Sequence, residues 1–195
     1  MKGTSLISLA LVSVPFFAFA DEAPSDNSAH HQLGIRGGWV MQQPEYNGLD
    51  DADDRTTGNV YGIDYTFLKS FGESRKFKWG VNAGVDKVKN TVDFTVDGRT
   101  TSYPLDYYST RAAGVFAYGI TQQIDVYGKL GLSYNYGDLG TQQINGIGIF
   151  EAVGFSYQSS NGAFSAIEGQ IDSFKDGDYE APFSLSLIIR AGFTF

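Results

Sequence analysis

Residues 183–195, FSLSLIIRAGFTF, alternate between an apolar face and a face of small, polar or charged side chains. Arg190 lies on the second face, which only Ile188 interrupts. A period of two with one apolar face is typical of a β-strand between hydrocarbon and a polar lumen, and the segment is long enough to cross a membrane obliquely. The apolar face is formed by Phe183, Leu185, Leu187, Ile189, Ala191, Phe193 and Phe195.

The N-terminus has the pattern of an export signal. Lys2 precedes an apolar run over residues 6–19, and a small-x-small site, Ala18-Phe19-Ala20, stands before the acidic Asp21. We therefore predict a signal peptide over residues 1–20, cleaved after Ala20. An uncleaved anchor helix is the alternative, but the run is shorter than the roughly 20 residues that a spanning helix needs.

Composition narrows the classes of function. The 195 residues carry a formal net charge of −8, which argues against a nucleic-acid partner. The chain has no cysteine, so disulfides, thiolate metal sites and thiol nucleophiles are impossible. No stretch beyond the signal peptide approaches 18 consecutive apolar residues, so we expect no membrane helix in the mature chain.

The same alternation recurs along the rest of the chain. After a polar tail over residues 21–31, residues 32–195 are predicted to form one all-β domain, an eight-stranded antiparallel transmembrane up-and-down β-barrel. A soluble barrel or sandwich is the alternative, since it also alternates but buries its apolar face. The predicted strands are 32–41, 59–68, 77–86, 108–120, 124–136, 146–157, 163–172 and 183–195.

Connections alternate between short turns and longer loops, as this topology requires. The longest loop contains Asp97-Gly98 between β-prone residues, which predicts a hairpin over residues 93–103 that extends the third and fourth strands beyond the membrane.

Charged residues on the inward face must pair, because an eight-stranded lumen holds little more than side chains. Strand neighbours at equal height predict three contacts. Glu168 is predicted to contact Arg190, with Arg36 close to both. The other two predicted contacts are Lys129 with Glu151 and Asp86 with Arg111. Asp64 is a further inward charge. Glu151 falls on the outward face by strict alternation, so its contact with Lys129 requires either a β-bulge that turns it inward or a different phase for the sixth strand. The network is expected to fill the lumen, with a narrow ion path as the alternative.

Two other groups of residues are candidates for binding or catalysis. Asp50, Asp51, Asp53 and Asp54 in the first loop could bind a divalent cation, although a solvated acidic loop is the simpler interpretation. His30 and His31, the only histidines, are predicted to lie in the tail, away from any strand or outer loop. Nucleophilic catalysis would need a base near a serine, so we expect no enzyme activity, no catalytic residues and no cofactor.

Four features of the chain carry a family resemblance. They are the signal peptide, the eight alternating segments, the glycine-rich segment Gly34-Ile35-Arg36-Gly37-Gly38-Trp39 and the terminal Arg190-Ala191-Gly192-Phe193-Thr194-Phe195. On these features, the chain resembles the small outer-membrane β-barrel family that includes the OmpA transmembrane domain and OmpX. The resemblance implies a Gram-negative outer-membrane location, contact with lipid and lipopolysaccharide, and insertion by the barrel-assembly machinery, with Phe193 and Phe195 in the C-terminal signal.

The expected function is non-enzymatic: envelope integrity or surface adhesion, with a surface protein as a possible ligand of the outer loops. The alternatives are a narrow, porin-like channel for ions or small solutes and, more remotely, a lipid-modifying enzyme.

Overall fold

The computed structural model describes residues 29–46, 56–71, 76–96, 99–176 and 179–195. The predicted signal peptide, most of the predicted tail and the aspartates Asp50, Asp51, Asp53 and Asp54 lie outside the described residues. Among the described residues, no helix has the length and apolar character needed to cross a membrane.

Within these described ranges, eight antiparallel strands form one closed barrel, in which each strand pairs with the next and the last pairs with the first. The predicted fold class is thereby confirmed. The strands are β1 (Ala29–Tyr46), β2 (Thr56–Phe71), β3 (Phe77–Val96), β4 (Arg99–Gly119), β5 (Ile124–Leu139), β6 (Gln142–Gln158), β7 (Ala163–Asp176) and β8 (Tyr179–Thr194).

The barrel has two distinct ends. The turn end holds the start of β1, the end of β8 and the connections at 120–123 and 159–162, where Gly162 has a φ of +85° that an L side chain rarely adopts. The opposite end, here called the hairpin end, holds the end of β3, the start of β4 and the 140–141 connection.

Several strands are longer than the alternation predicted. β1 begins at Ala29, so His30 and His31 belong to a strand and the predicted tail boundary at residue 31 is wrong. At the hairpin end, β3 continues to Val96 and β4 begins at Arg99. Strand pairing rests on backbone hydrogen bonds, so it continues where the alternation of hydrophobic side chains stops.

The outer wall of the barrel is apolar, and its buried charges lie inside. Ile35, Phe116 and Ile147 are 68%, 70% and 71% exposed on the outer wall, whereas Arg111 and Glu168 in the lumen are 2% and 0% exposed. A soluble barrel buries its apolar face, so this distribution contradicts the soluble alternative.

Candidate functional site

A network of buried charges occupies the middle of the lumen. Seven of the eight residues predicted for it point inward, and each is at most 5% exposed. Seven of the eight strands contribute one residue each. These residues are Arg36, Asp64, Asp86, Arg111, Lys129, Glu168 and Arg190.

Short ion pairs connect the network across the lumen. Arg111 Nη2 lies 2.7 Å from Asp86 Oδ2, as predicted, and Arg36 Nε lies 3.3 Å from Asp86 Oδ1. Glu168 binds two cations, Lys129 at 2.5 Å and Arg36 at 3.3 Å. Paired charges of both signs compensate for the loss of water that burial imposes on each of them.

The predicted pairing of Glu168 with Arg190 is wrong in its partner. The β7–β8 register places Ala166 opposite Arg190 and Ile188 opposite Glu168. Arg190 instead forms an ion pair with Asp64 of β2, at 2.7 Å. Partners are therefore chosen across the lumen as well as between neighbouring strands.

The predicted contact between Lys129 and Glu151 is also wrong. β6 pairs in unbroken register on both sides of Glu151, opposite Leu130 on β5 and Ile171 on β7, so no bulge turns the carboxyl group inward. Glu151 lies exposed on the outer wall. The inward residues of β6 at this height are Phe150 and Ala152, and the guanidinium of Arg111 lies 5.4 Å from the Phe150 ring centroid.

Neutral side chains complete the network. The Gln170 amide oxygen accepts hydrogen bonds from Arg36 at 2.8 Å and from Arg111 at 2.6 Å, and so separates two guanidinium groups. The Tyr127 hydroxyl donates to Glu168 at 3.1 Å, and the Asn82 amide donates to Asp64 at 3.1 Å. Sequence reasoning missed these three residues, although each stands at an inward position of its strand.

Two apolar clusters lie beside the network. Along β1, Val40 separates Arg36 from Gln42, and Val88 occupies the same place on β3, between Asp86 and Asn90. The cluster on the side of the hairpin end comprises Val40, Val60, Val88, Leu105, Tyr107, Ile144, Phe174 and Ile188. The cluster on the side of the turn end comprises Leu68, Val115, Ala117, Tyr127 and Ala166.

Polar groups recur beyond each cluster. Toward the hairpin end, the Gln42 amide donates to the Tyr107 hydroxyl at 2.8 Å, and the Asn90 amide donates to Gln42 at 2.9 Å. Toward the turn end, Lys78 Nζ lies 2.6 Å from Asp125 Oδ2. Between that pair and the central network, a cavity of about 10 Å³ has room for about one water molecule.

The predicted hairpin over residues 93–103 is part of a long β3–β4 ladder. Pairing of β2 with β3 ends at Asn59 opposite Lys89, and pairing of β4 with β5 ends at Leu105 opposite Leu139. The β3–β4 ladder continues to Val96 opposite Arg99. Residues 90–96 and 99–104 thus extend beyond the ladders of the neighbouring strands.

The C-terminal residues lie at the turn end. Phe193 and Phe195 are 66% and 72% exposed on the outer wall. Phe195 exchanges two backbone hydrogen bonds with His31, at 3.1 and 2.9 Å, and the two rings stack with centroids 5.9 Å apart. The His31 ring is also hydrogen-bonded to the Tyr65 hydroxyl, at 2.6 Å. Within the described ranges, no group of three His, Cys, Asp or Glu side chains could hold a metal ion.

Comparison with known proteins identifies the fold. The sequence matches no protein-family model and no curated protein. The structure is similar to that of Neisserial surface protein A, with a TM-score of 0.57, 12% identity, and coverage of 86% of this chain and 99% of that one. It is also similar to the outer membrane protein OprG from Pseudomonas aeruginosa, with a TM-score of 0.51, 17% identity, and coverage of 84% and 95%. The chain has the fold of the small eight-stranded outer-membrane β-barrels.

Proposed function

On the basis of this fold, we propose that the protein spans the outer membrane as a filled, non-enzymatic barrel and presents its β3–β4 hairpin for surface adhesion or envelope integrity. One observation carries the proposal: the lumen is occupied by packed side chains, whereas the β3–β4 ladder continues beyond its neighbours at the hairpin end. Function then resides in the exposed segments, and the barrel holds them in place.

The outer wall supports a membrane location. Aromatic side chains are exposed near both ends of the apolar wall, and such residues prefer the two interfaces of a membrane. Phe77 and Tyr118 lie in contact at the turn end, with ring centroids 5.0 Å apart, and Trp39, Tyr134 and Tyr136 are exposed toward the hairpin end. The names of the two similar structures, a surface protein and an outer membrane protein, favour the same location.

Export and insertion complete the proposal. The predicted signal peptide would direct the chain out of the cytoplasm, and the exposed Phe193 and Phe195 would be read by the barrel-assembly machinery before β8 pairs with β1. Lipid and lipopolysaccharide would then surround the apolar wall.

The hairpin favours a protein ligand. β3 residues beyond Lys89 form a strand edge outside the β2 ladder, and such an edge can pair with a strand of another protein. β4 residues 99–104 are exposed on the other strand of the hairpin. Main-chain hydrogen bonds would supply affinity and the exposed side chains selectivity.

A shortened hairpin tests adhesion. Deleting residues 93–95 together with residues 100–102, which pair with each other, keeps the Val96–Arg99 pair and the barrel ladders. We expect bacteria that display this variant to adhere to surfaces coated with serum and matrix glycoproteins at least about tenfold less than bacteria that display the intact protein.

The matched control is Gln143→Ala in the adjacent β5–β6 hairpin, which should leave adhesion unchanged. Folding is checked by the migration of unheated protein in gel electrophoresis. Full adhesion by the folded, shortened variant would contradict the role of the hairpin.

A further inference from the structure

Glu151 is a carboxyl group in the aliphatic middle of the outer wall. Its lateral neighbours are Leu130 and Ile171, and Ile149 and Val153 precede and follow it on the same face of β6. These four residues are 41–69% exposed, so they form part of the wall itself. The other outward charges in the described strands, such as Lys69, Lys87 and Asp138, lie toward the rims.

Hydrocarbon is an unfavourable environment for this group. A charged or unsatisfied carboxyl group in the bilayer core costs free energy, and such a residue points to a function. On the outward face of β6, Ile147 lies four residues from Glu151 toward the hairpin end, and Tyr157 lies six residues from it toward the turn end. For a tilted strand these separations correspond to heights of roughly 10 and 16 Å, and a glutamate side chain is much shorter than either.

A partner must therefore supply a hydrogen-bonding group at the same depth. Lipid tails have none, but a second copy inserted in the same orientation does: a two-fold axis along the membrane normal brings the same residue of both copies to one height. A carboxyl group that holds a proton is both donor and acceptor, so it is complementary to itself.

We propose that two copies of this chain associate within the membrane through their β5–β7 faces, with the two Glu151 carboxyl groups hydrogen-bonded to each other across the interface. This inference rests on the membrane-spanning part of the proposed function and is independent of adhesion.

The shape of the face suits close approach. Val153 pairs with Gly128 on one side and Gly169 on the other, which leaves it between two outward positions without side chains. A Cβ atom at Gly169 would meet no heavy atom within 4 Å, and one at Gly128 would meet its nearest neighbour at 3.8 Å. The barrel's own packing does not require these glycines, whereas small residues allow membrane segments to pack closely.

The absence of cysteine permits a direct test. Val153→Cys places one thiol beside Glu151, and Ile35→Cys places one on β1, three strands away round the ring. After refolding into phosphatidylcholine vesicles and oxidation, we expect a disulfide-linked dimer for Val153→Cys and at least a tenfold lower yield for Ile35→Cys. Adding Glu151→Leu to Val153→Cys should lower its yield about tenfold, whereas Glu151→Gln, which keeps a donor and an acceptor, should preserve it.

Two further comparisons separate the carboxyl pair from chance collision. When Glu151→Lys is added to Val153→Cys, this double variant by itself should no longer cross-link. Mixing it with Val153→Cys protein that keeps Glu151 should restore cross-linking through a Glu–Lys pair. Gly169→Leu should block dimers, whereas Gly37→Leu on β1, where a Cβ atom meets nothing closer than 3.7 Å, should not.

Insertion is measured separately, by unheated gel migration and protection from trypsin. Failure to insert would contradict the membrane-spanning proposal. Two results with inserted protein would overturn the proposed interface but not the membrane-spanning proposal. One is that Val153→Cys cross-links no more than Ile35→Cys. The other is that Val153→Cys cross-links equally well when Glu151→Leu is added.

Discussion

At the scale of single residues, inward or outward orientation was predictable, whereas ion pairing was predictable only in part. Period-two alternation identified the inward charges, and the Asp86–Arg111 pair is present at 2.7 Å. Arg36 was expected near Glu168 and forms an ion pair with it, but Lys129 was missed as a partner because long side chains reach across the lumen to strands that are not adjacent in the ladder. A sequence gives the face of each residue but not the height at which two of them meet.

Glu168 offers the sharpest test of the network. It is fully buried and faces Lys129 at 2.5 Å and Arg36 at 3.3 Å. Glu168→Gln leaves both cations without a carboxylate at that point, so we expect the free energy of unfolding to fall by about 3–5 kcal/mol. Urea titration of vesicle-inserted protein, followed by tryptophan fluorescence, measures the change.

The control is the same substitution on the outer wall. Glu151→Gln keeps the size and hydrogen-bonding groups of an exposed side chain, and at high dilution in lipid it should change stability by no more than about 0.5 kcal/mol. Equal stability of the two variants would show that the central charges are not mutually stabilising.

At the scale of strands, existence and order were predictable and length was not. All eight predicted segments lie within observed strands, apart from Ile120 after β4 and Phe195 after β8. β3 and β4 continue ten and nine residues beyond the predicted limits at 86 and 108, where alternation no longer reports pairing. In β6, by contrast, alternation was the better guide. Strict alternation placed Glu151 correctly on the outward face, and the bulge that would have paired it with Lys129 does not exist.

Close approach of strands leaves no room for a side chain at one glycine of β3. A Cβ atom at the inward-facing Gly80 would lie 1.7 Å from the carbonyl oxygen of Phe67 on β2. Gly80→Ala must push the two strands apart, so we expect a loss of about 1–3 kcal/mol in the same titration.

Gly114 on β4 is the matched control. It faces outward, and its Cβ atom would meet its nearest atom at 4.0 Å, so Gly114→Ala should leave stability within about 0.5 kcal/mol. A Gly80→Ala barrel as stable as the Gly114→Ala barrel would contradict the close packing of β2 against β3.

At the scale of the whole molecule, the sequence was enough to predict a closed barrel. It was not enough to predict that polar and apolar layers alternate along the lumen. The need of the inward charges to pair indicated a filled lumen, but the sequence did not predict the apolar layer that contains Leu105 and Ile188, both 0% exposed. Its members come from seven strands, and one of them, Ile188, interrupts the polar face of the C-terminal segment in the sequence. Their meeting depends on the closure of the ring, which no single strand reveals.

Conductance across a planar lipid bilayer tests the filled barrel most directly. An ion would have to cross an apolar cluster and a set of paired charges, so we predict no conductance steps from protein that unheated gel migration shows to be folded and inserted. A variant with Leu105→Ser and Ile188→Ser, which makes the apolar layer polar, serves as the comparison and should conduct more than the intact protein. Reproducible steps from the intact protein that change when Arg190 or Glu168 is replaced would contradict the account and make the narrow channel the function.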